Sequence, residues 1–171
     1  MKIGITFILC LILSFSTYAQ ELSADNSIAE NINLSDSHKT LVKAIKAAGL
    51  EEVLNGEDDF TVFAPTDEAF SKISEGTLKE LLETDNKKEL KAILTNHIVK
   101  GVIMAEDIVK LVKSNDGKMK LKALNGGKLT ISLNQGDVEI NSQNGTTTKV
   151  KNANLNSSNG VIHVIDKVLM P

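Results

Sequence analysis

Residues 60–70 read Phe-Thr-Val-Phe-Ala-Pro-Thr-Asp-Glu-Ala-Phe, and this segment decides how the rest of the chain is interpreted. Its first five residues are apolar apart from one threonine, which predicts a short buried strand. Pro65 keeps the preceding Ala64 extended. Thr66 then has the side chain of a helix N-cap, and the two acids after it suit the positive end of a short helix through Phe70. A buried strand that runs directly into a capped helix predicts a domain of mixed α and β structure.

The residues on either side of this segment have helical spacing as far as Val112. Apolar side chains recur every three or four residues, and residues that favour helix N-caps precede them. Helix starts are predicted at residues 35–37, at a capping box that begins with Thr77, and at Asp85. Residues 20–36 have no such pattern and are expected to form an N-terminal lead. The apolar positions of the predicted helices include Leu41, Val42, Ile45, Ala48, Leu90, Ile93, Leu94, Met104, Ile108, Leu111 and Val112.

Strand spacing replaces helical spacing after residue 117. Lys118, Lys120 and Lys122 alternate with apolar residues, which predicts a strand with one exposed face. Lysines in such a row attract acidic polysaccharides or an anionic cell surface. They also prevent an exposed strand from pairing with other chains, and we favour this structural explanation because charged strand faces are commonly solvated.

Turn signals divide the remaining residues into short strands. They lie at residues 125–127, 135–137 and 144–145, each with an Asn-Gly, Gly-Gly or Gly-Asp pair. The apolar phase shifts after Val150, which predicts a β-bulge. Residues 161–169 are apolar on both faces, as a central strand is. Helices first and an antiparallel sheet afterwards predict an α+β fold with a helix-rich N-terminal half and a strand-rich C-terminal half.

The N-terminus has the pattern of a cleavable signal peptide. A lysine at position 2 precedes an apolar run over residues 3–15, and small residues lead to Ala19. This run is shorter than the roughly 20 residues that a membrane-spanning helix needs, so a transmembrane anchor is not expected. Cleavage after Ala19 predicts a secreted, extracellular or periplasmic protein. Cys10 lies inside the apolar run, so residues 20–171 contain no cysteine and are held without disulfides.

The composition argues against several classes of function. The chain has no arginine and a formal net charge of −3, so a nucleic-acid partner is not expected. It has no H-x-H or HExxH motif and no cysteine pair, and neither a metal nor a cofactor is expected. The acidic run at residues 57–59 is interpreted as an exposed turn. His163 and Asp166 lie three apart on one predicted strand and therefore face opposite sides.

His97 is the side chain with the clearest chemical potential. It continues the apolar positions of a predicted helix, so it is expected to be buried and to need a hydrogen-bond partner. Asp67 is the candidate partner, and we interpret the pair as structural. A small exported hydrolase with a His97–Asp67 dyad is the alternative, although no G-x-S-x-G elbow supplies its nucleophile. A small-molecule carrier is a further alternative and requires a sizeable apolar cavity.

Two segments of the chain resemble the signature segments of the fasciclin family. Residues 60–70 are similar to the first, and residues 159–171, Asn-Gly-Val-Ile-His-Val-Ile-Asp-Lys-Val-Leu-Met-Pro, are similar to the second. Residues 40–50 and 90–99 resemble the helices between them. The resemblance covers residues 37–171, after a signal peptide (1–19) and the lead (20–36). The signature positions are Thr61, Phe63, Ala64, Pro65, Thr66, Phe70, Asn159, Gly160, His163 and Asp166.

This resemblance implies a wedge-shaped antiparallel β-sandwich with helices packed around it. It implies a secreted or surface-displayed module that adheres to proteins or matrix without catalysis. We expect this module to be a monomer that binds a protein or a surface glycan. Asp67 and His97 would be the hydrogen-bonded pair that organises the core. Asn96 stands where the family often has a tyrosine, which argues against integrin-type recognition. A single copy behind a signal peptide resembles the secreted bacterial members.

Overall fold

The computed structural model describes residues 22–171, so the predicted signal peptide lies outside the described residues. The helices are α1 (Ile28–Leu34), α2 (Lys39–Ala48), α3 (Glu51–Leu54), α4 (Asp67–Ser71), α5 (Glu75–Leu82), α6 (Lys87–Asn96) and α7 (Ala105–Ser114), with a 3₁₀ turn at Thr84–Asn86. The strands are β1 (Phe60–Pro65), β2 (Ile98–Lys100), β3 (Lys118–Lys122), β4 (Lys128–Asn134), β5 (Asp137–Asn141), β6 (Thr147–Ser157) and β7 (Gly160–Ile165).

The seven strands form one strongly curved sheet in the order β2-β1-β7-β6-β5-β4-β3. An antiparallel bridge between Val99 and Ala123 joins the two ends of this order, so the sheet is nearly a barrel. The predicted α+β fold, with helices before most of the strands, is confirmed. One pair departs from the antiparallel expectation, because β1 and β7 run parallel. These two strands lie almost 100 residues apart in the chain, so no hairpin constrains their direction.

Two hydrophobic cores lie on opposite sides of the sheet. Successive side chains of a strand point to opposite faces, so Val62 packs towards the helices whereas Phe63 points into the barrel. Strands β1 and β7 are therefore buried on both faces, as the apolar run at residues 161–169 predicts. The outer face of β3 is open, and its three lysines are exposed. The barrel core contains Phe63, Val99, Ile108, Val112, Ala123, Leu129, Ile131, Ile140, Ile165 and Leu169.

Helix α1 is the main element that the sequence analysis does not predict. It lies inside the segment interpreted as a lead, and its Ile28 and Ile32 are buried in the helical core. Ser27 and Glu30 form a complete capping box at its start, which the sequence does contain. The helix is short and carries only two core positions, so its periodicity is too weak to recognise without the tertiary contacts.

Other helix starts differ by a few residues from the predicted ones. Thr66 caps α4 as predicted, with its hydroxyl accepting a hydrogen bond from the amide of Ala69 at 3.2 Å. Ser74, rather than Thr77, is the N-cap of α5, because the helix begins one turn earlier. Helix α6 follows the 3₁₀ turn, and no side chain caps it. The predicted bulge after Val150 is confirmed by shifts of the register between β6 and β7.

Candidate functional site

The parallel pairing of β1 with β7 brings the two signature segments side by side. Phe60 lies opposite Gly160 and Phe63 lies opposite His163 in this register. The rings of Phe63 and His163 stack with their centroids 5.7 Å apart. Residues nearly 100 positions apart in the sequence therefore form one unit at the centre of the sheet. Ala64, Pro65 and Phe70 are buried beside it.

Asn159 and Gly160 connect this unit to the N-terminal helices. The Asn159 side chain accepts a hydrogen bond from the amide of Ile28 at 2.9 Å and donates one to the carbonyl of Leu54 at 2.8 Å. Gly160 has φ +145°, and a Cβ at this position would lie 1.9 Å from the carbonyl oxygen of Phe60. Only glycine allows the two strands to approach this closely.

His97 is buried at the C-terminal end of α6 and uses both ring nitrogens. Its Nε2 accepts a hydrogen bond from the amide of Leu169 at 2.8 Å, so Nδ1 carries the proton and donates it to the carbonyl of Ile93 at 2.8 Å. The first bond attaches the end of the chain to the helix, and the second satisfies one of the last helical carbonyls. Burial lowers the pKa of His97 from 6.5 to about 4. The imidazole is therefore neutral at physiological pH.

The predicted hydrogen bond between Asp67 and His97 is wrong. The carboxylate of Asp67 instead accepts hydrogen bonds from the amides of Thr40 at 2.7 Å and Lys39 at 3.2 Å. It caps α2 from the start of α4, and α2 has no side-chain cap of its own. Partial burial raises the pKa of Asp67, but the bonds from Thr40 and Lys39 outweigh this effect and leave the pKa below its usual value.

His38 is the histidine that lies beside Asp67, and the sequence analysis does not single it out. It is buried, and its Nδ1 is 2.6 Å from the hydroxyl of Ser35 and 3.1 Å from that of Ser37. Its Nε2 makes no regular hydrogen bond in the described part of the chain. Burial lowers the pKa of His38, and the backbone of Ala64 and the nearby Asp67 carboxylate oppose this shift only in part. The Ser-x-Ser-His segment ahead of an apolar helix is the only sequence signal for this cluster.

His163 and Thr61 attach the loop after β2 to the sheet. Nε2 of His163 donates to the carbonyl of Ile103 at 2.8 Å, and its Nδ1 accepts from the amide of Asn154 at 3.3 Å. The Thr61 hydroxyl donates to the carbonyl of Gly101 at 2.7 Å and accepts from the amide of Ile103. Burial lowers the pKa of His163 as well. Both side chains therefore act on the main chain of this loop.

Asp166 follows β7 and is bonded to β6. Its carboxylate accepts hydrogen bonds from the hydroxyl of Thr148 at 3.0 Å and from the amide of Lys149 at 2.9 Å. It also lies 3.8 Å from the ammonium of Lys151. Burial raises the pKa of Asp166, but these hydrogen bonds and the nearby lysines lower it by more. The pKa of Asp166 therefore lies below its usual value. His163 and Asp166 have separate partners and do not converge on one ligand.

The surroundings of His97 give no support to the hydrolase hypothesis. The void beside its ring is only about 10 Å³ and is enclosed by apolar side chains such as Leu41, Val62 and Leu94. Such a space holds at most one water molecule and no substrate. Asp67 is engaged elsewhere, so the proposed dyad does not form.

Two other kinds of site are also poorly supported. A cleft beside α1 has a volume of about 190 Å³ and is lined by apolar residues such as Ile32 and Leu155 together with polar ones that include Asn31 and His38. Pockets for small molecules usually exceed about 300 Å³, so the carrier hypothesis gains little from it. Among residues 22–171, no group of three or more histidine or acidic side chains is arranged to hold a metal ion. None of the helices in the same range is long and apolar enough to span a bilayer.

Comparison with known proteins identifies the family. The family model of the fasciclin domain matches residues 36–171. The chain belongs to the fasciclin domain family. The two segments that β1 and β7 bring together are the parts of the chain that resemble the family signatures, so the fasciclin resemblance and the sheet topology describe the same unit.

Fasciclin relatives occur in bacteria and in animals. The chain is 42% identical over 136 residues to the Synechocystis protein sll1483, with 80% of this chain and 68% of that protein covered. It is 34% identical over 146 residues to the transforming growth factor-beta-induced protein ig-h3 of Sus scrofa, with 85% of this chain covered. The matched part spans only 20% of the ig-h3 protein.

A solved structure has the same fold. The FAS1 domain pair of the insect cell adhesion molecule fasciclin I matches with a TM-score of 0.76 and 23% sequence identity. The match covers 85% of this chain and 51% of the domain pair, so this chain corresponds to one fasciclin domain. The fasciclin-like fold predicted from the sequence is confirmed.

Proposed function

We propose that this chain is an exported, monomeric and non-catalytic adhesion module that binds a protein or a surface glycan. Its fasciclin domain, for which we propose the boundaries 37–171, follows a signal peptide that ends near Ala19. Membership of a family that includes an insect cell adhesion molecule supports the adhesive role. The apolar run at residues 3–15 supports export.

The buried polar side chains of the two signature segments, together with His97, form hydrogen bonds within the protein itself, and this observation supports the proposal most directly. His97, His163 and Asn159 bond main-chain groups on other elements, and Asp67 and Asp166 each accept from backbone amides. Side chains bonded in this way organise the fold, and few of their polar groups remain to bind a substrate. Recognition therefore belongs to the exposed loops and to the open sheet face.

The adhesive role is tested with residues 20–171 immobilised on a sensor surface. We expect saturable binding of components from envelope and matrix extracts of the source cells. Protease treatment of the extract abolishes the signal if the partner is a protein, and glycosidase treatment abolishes it if the partner is a glycan. An unrelated protein of similar size and charge, immobilised in the same way, measures background binding. Binding that does not saturate, or that equals the background, contradicts the proposal.

Export and oligomeric state have separate measurements. Mass spectrometry of the protein recovered outside the cytoplasm should show a chain that begins at Gln20. Light scattering of this species should give the mass of one chain. An uncleaved N-terminus in the cytoplasmic fraction, or a dimer at micromolar concentration, contradicts the corresponding part of the proposal.

A further inference from the structure

Three exposed lysines lie side by side where the sheet closes on itself. Lys122 in β3 lies directly opposite Lys128 in β4. On the other side of β3, an antiparallel bridge pairs Val99 of β2 with Ala123. The next pair of residues in this register is Lys100 and Lys122, so these two lysines are also neighbours. Adjacent strands are about 4.8 Å apart, so the three side chains form a line across β2, β3 and β4. We call Lys100, Lys122 and Lys128 the lysine row.

The charges of the lysine row are not neutralised within the described residues. No acidic side chain of residues 22–171 lies within 4 Å of these three ammonium groups. The lysines of β6 behave differently, since Lys149 is 3.0 Å from Asp137 and Lys151 is 3.8 Å from Asp166. The same sheet therefore has lysines with acidic partners on one strand and lysines without them at the closure.

This arrangement opposes folding locally. Side chains directly opposite in an antiparallel pair have Cβ atoms about 5 Å apart, and like charges at this distance destabilise the pair. Lys122 and Lys128 form such a pair. A local rule that is broken without a compensating contact often marks a functional surface.

Protection of a strand edge does not account for the lysine row. Lysines are useful at edges that are free to pair with another chain. On its other edge, β3 is joined to β2 one residue from the row, where Val99 bridges Ala123 and the amide of Leu124 donates to the carbonyl of Ile98 at 2.7 Å. The edge closes immediately beside the row, so the structural explanation favoured from the sequence applies to Lys118 and Lys120 rather than to these three.

We propose that the lysine row is a binding site for a linear acidic polysaccharide, whose carboxylate or sulfate groups follow the line of ammonium groups. This inference rests on the proposed adhesive function and specifies its ligand. The residues of the next row, Lys120, Thr130 and Asn141, lie side by side in the register. They add one more charge, a hydroxyl and the amide NH2 group of Asn141, whose oxygen already accepts a hydrogen bond from the Thr147 hydroxyl. Such groups are suited to bonding sugar hydroxyls.

Composition distinguishes this ligand from other polyanions. The aromatic side chains of the described part, Phe60, Phe63 and Phe70, are all buried, so none can stack on nucleic-acid bases or insert into a bilayer. The chain also lacks arginine, which phosphate recognition favours. A neutral glycan would depend on aromatic stacking and finds none here. A polymer with regularly spaced negative charges is what the row matches.

The test compares two variants with the same net charge. One replaces the row (Lys100→Gln, Lys122→Gln and Lys128→Gln), and the control replaces three exposed lysines on the helical side (Lys43→Gln, Lys88→Gln and Lys91→Gln). Binding of residues 20–171 to polygalacturonate is measured in about 20 mM and about 500 mM salt, since screening weakens exposed ion contacts at high salt. Neutral dextran, phosphatidylserine vesicles and polyglutamate serve as comparison ligands.

We expect the parent chain and the control variant to bind polygalacturonate at low salt and to lose it at high salt. The row variant should bind roughly tenfold more weakly, because three exposed ion contacts are lost. Its Tm without ligand should not fall, because removing the like charges relieves their repulsion. A row variant that binds as tightly as the control, or that melts several degrees lower, overturns the assignment.

The remaining outcomes separate this inference from the proposed function. If the parent chain binds extract components but not polygalacturonate, the inference is wrong and the adhesive function stands. If it binds neither, both are wrong. Tighter binding to the vesicles or to polyglutamate than to polygalacturonate overturns the assignment of a polysaccharide.

Discussion

Replacement of His97 by alanine should destabilise the fold without removing a reactive group. The substitution leaves the amide of Leu169 buried without an acceptor and removes the donor to the carbonyl of Ile93. His97 is 2% exposed and Leu169 is 0% exposed, so water cannot readily replace the lost bonds. Each unsatisfied buried group costs about 1–3 kcal/mol, and the vacated volume adds to this. We expect a loss of about 3–5 kcal/mol in the free energy of unfolding.

This loss corresponds to a fall in Tm of roughly 6–20 °C for a domain of this size. Residues 20–171 contain no tryptophan or tyrosine, so unfolding in urea is best followed by far-ultraviolet circular dichroism. The m-value should stay constant if the native and unfolded states expose the same surface as before. His97→Gln, which keeps a donor and an acceptor, should lose less stability than His97→Ala.

The matched control is Lys91→Ala, an exposed position on the same helix. It should change the free energy of unfolding by less than about 0.5 kcal/mol. If His97→Ala melts within about 2 °C of the parent chain, or no lower than the Lys91 variant, then the two hydrogen bonds of His97 do not hold the end of the chain as we argue.

Three further predictions test other parts of the structure. Because the pKa of His97 is about 4 in the folded chain and near 6.5 in the unfolded chain, only the unfolded state gains this proton between these values. His97 should therefore contribute a loss of about 3 kcal/mol of stability as the pH falls from 6.5 to 4, and the lowered pKa values of His38 and His163 add to the loss. Urea titrations of the parent chain and of His97→Gln isolate the His97 part as the difference between their pH profiles, and parallel profiles contradict this. Gly160→Ala should abolish folding or cost more than about 3 kcal/mol, because the new Cβ would lie 1.9 Å from the Phe60 oxygen. Position 136 also has a positive φ, but a Cβ there would meet nothing within 4 Å, so Gly136→Ala should cost only about 1–2 kcal/mol. Similar melting temperatures for the two variants would refute the steric argument. Asp67→Ala should cost about 0.5–2 kcal/mol through loss of the cap on α2, measured by thermal unfolding, whereas an effect as large as that of His97→Ala would indicate that the two side chains act together after all.

Local features of the fold could be read from the sequence because they depend on neighbours in the chain. The buried strand at residues 60–65 and the Thr66 cap follow from composition and spacing, and both are present. The bulge after Val150 shows as a phase shift, and the turns show as glycine and asparagine pairs. The burial of His97 follows from its place on an apolar helical face.

The partners of the buried polar groups could not be read in the same way. His97 bonds the amide of Leu169 and the carbonyl of Ile93, and main-chain groups of this kind are present at every residue. A sequence can indicate that a histidine needs a partner, but it cannot indicate which amide reaches it. The carboxylate of Asp67 was assigned to the wrong histidine for this reason.

By itself, the sequence determined which residues face inward, where the helices give way to strands, and which family the chain resembles. Only the tertiary structure decided that β1 and β7 run parallel, that Asp67 caps α2, and that Lys100 joins Lys122 and Lys128 in one line. Periodicity records the face on which a side chain lies, because that is set by backbone geometry a few residues long. The neighbour across a strand or helix boundary depends on how the whole sheet closes, and residues that are far apart in the chain meet only then.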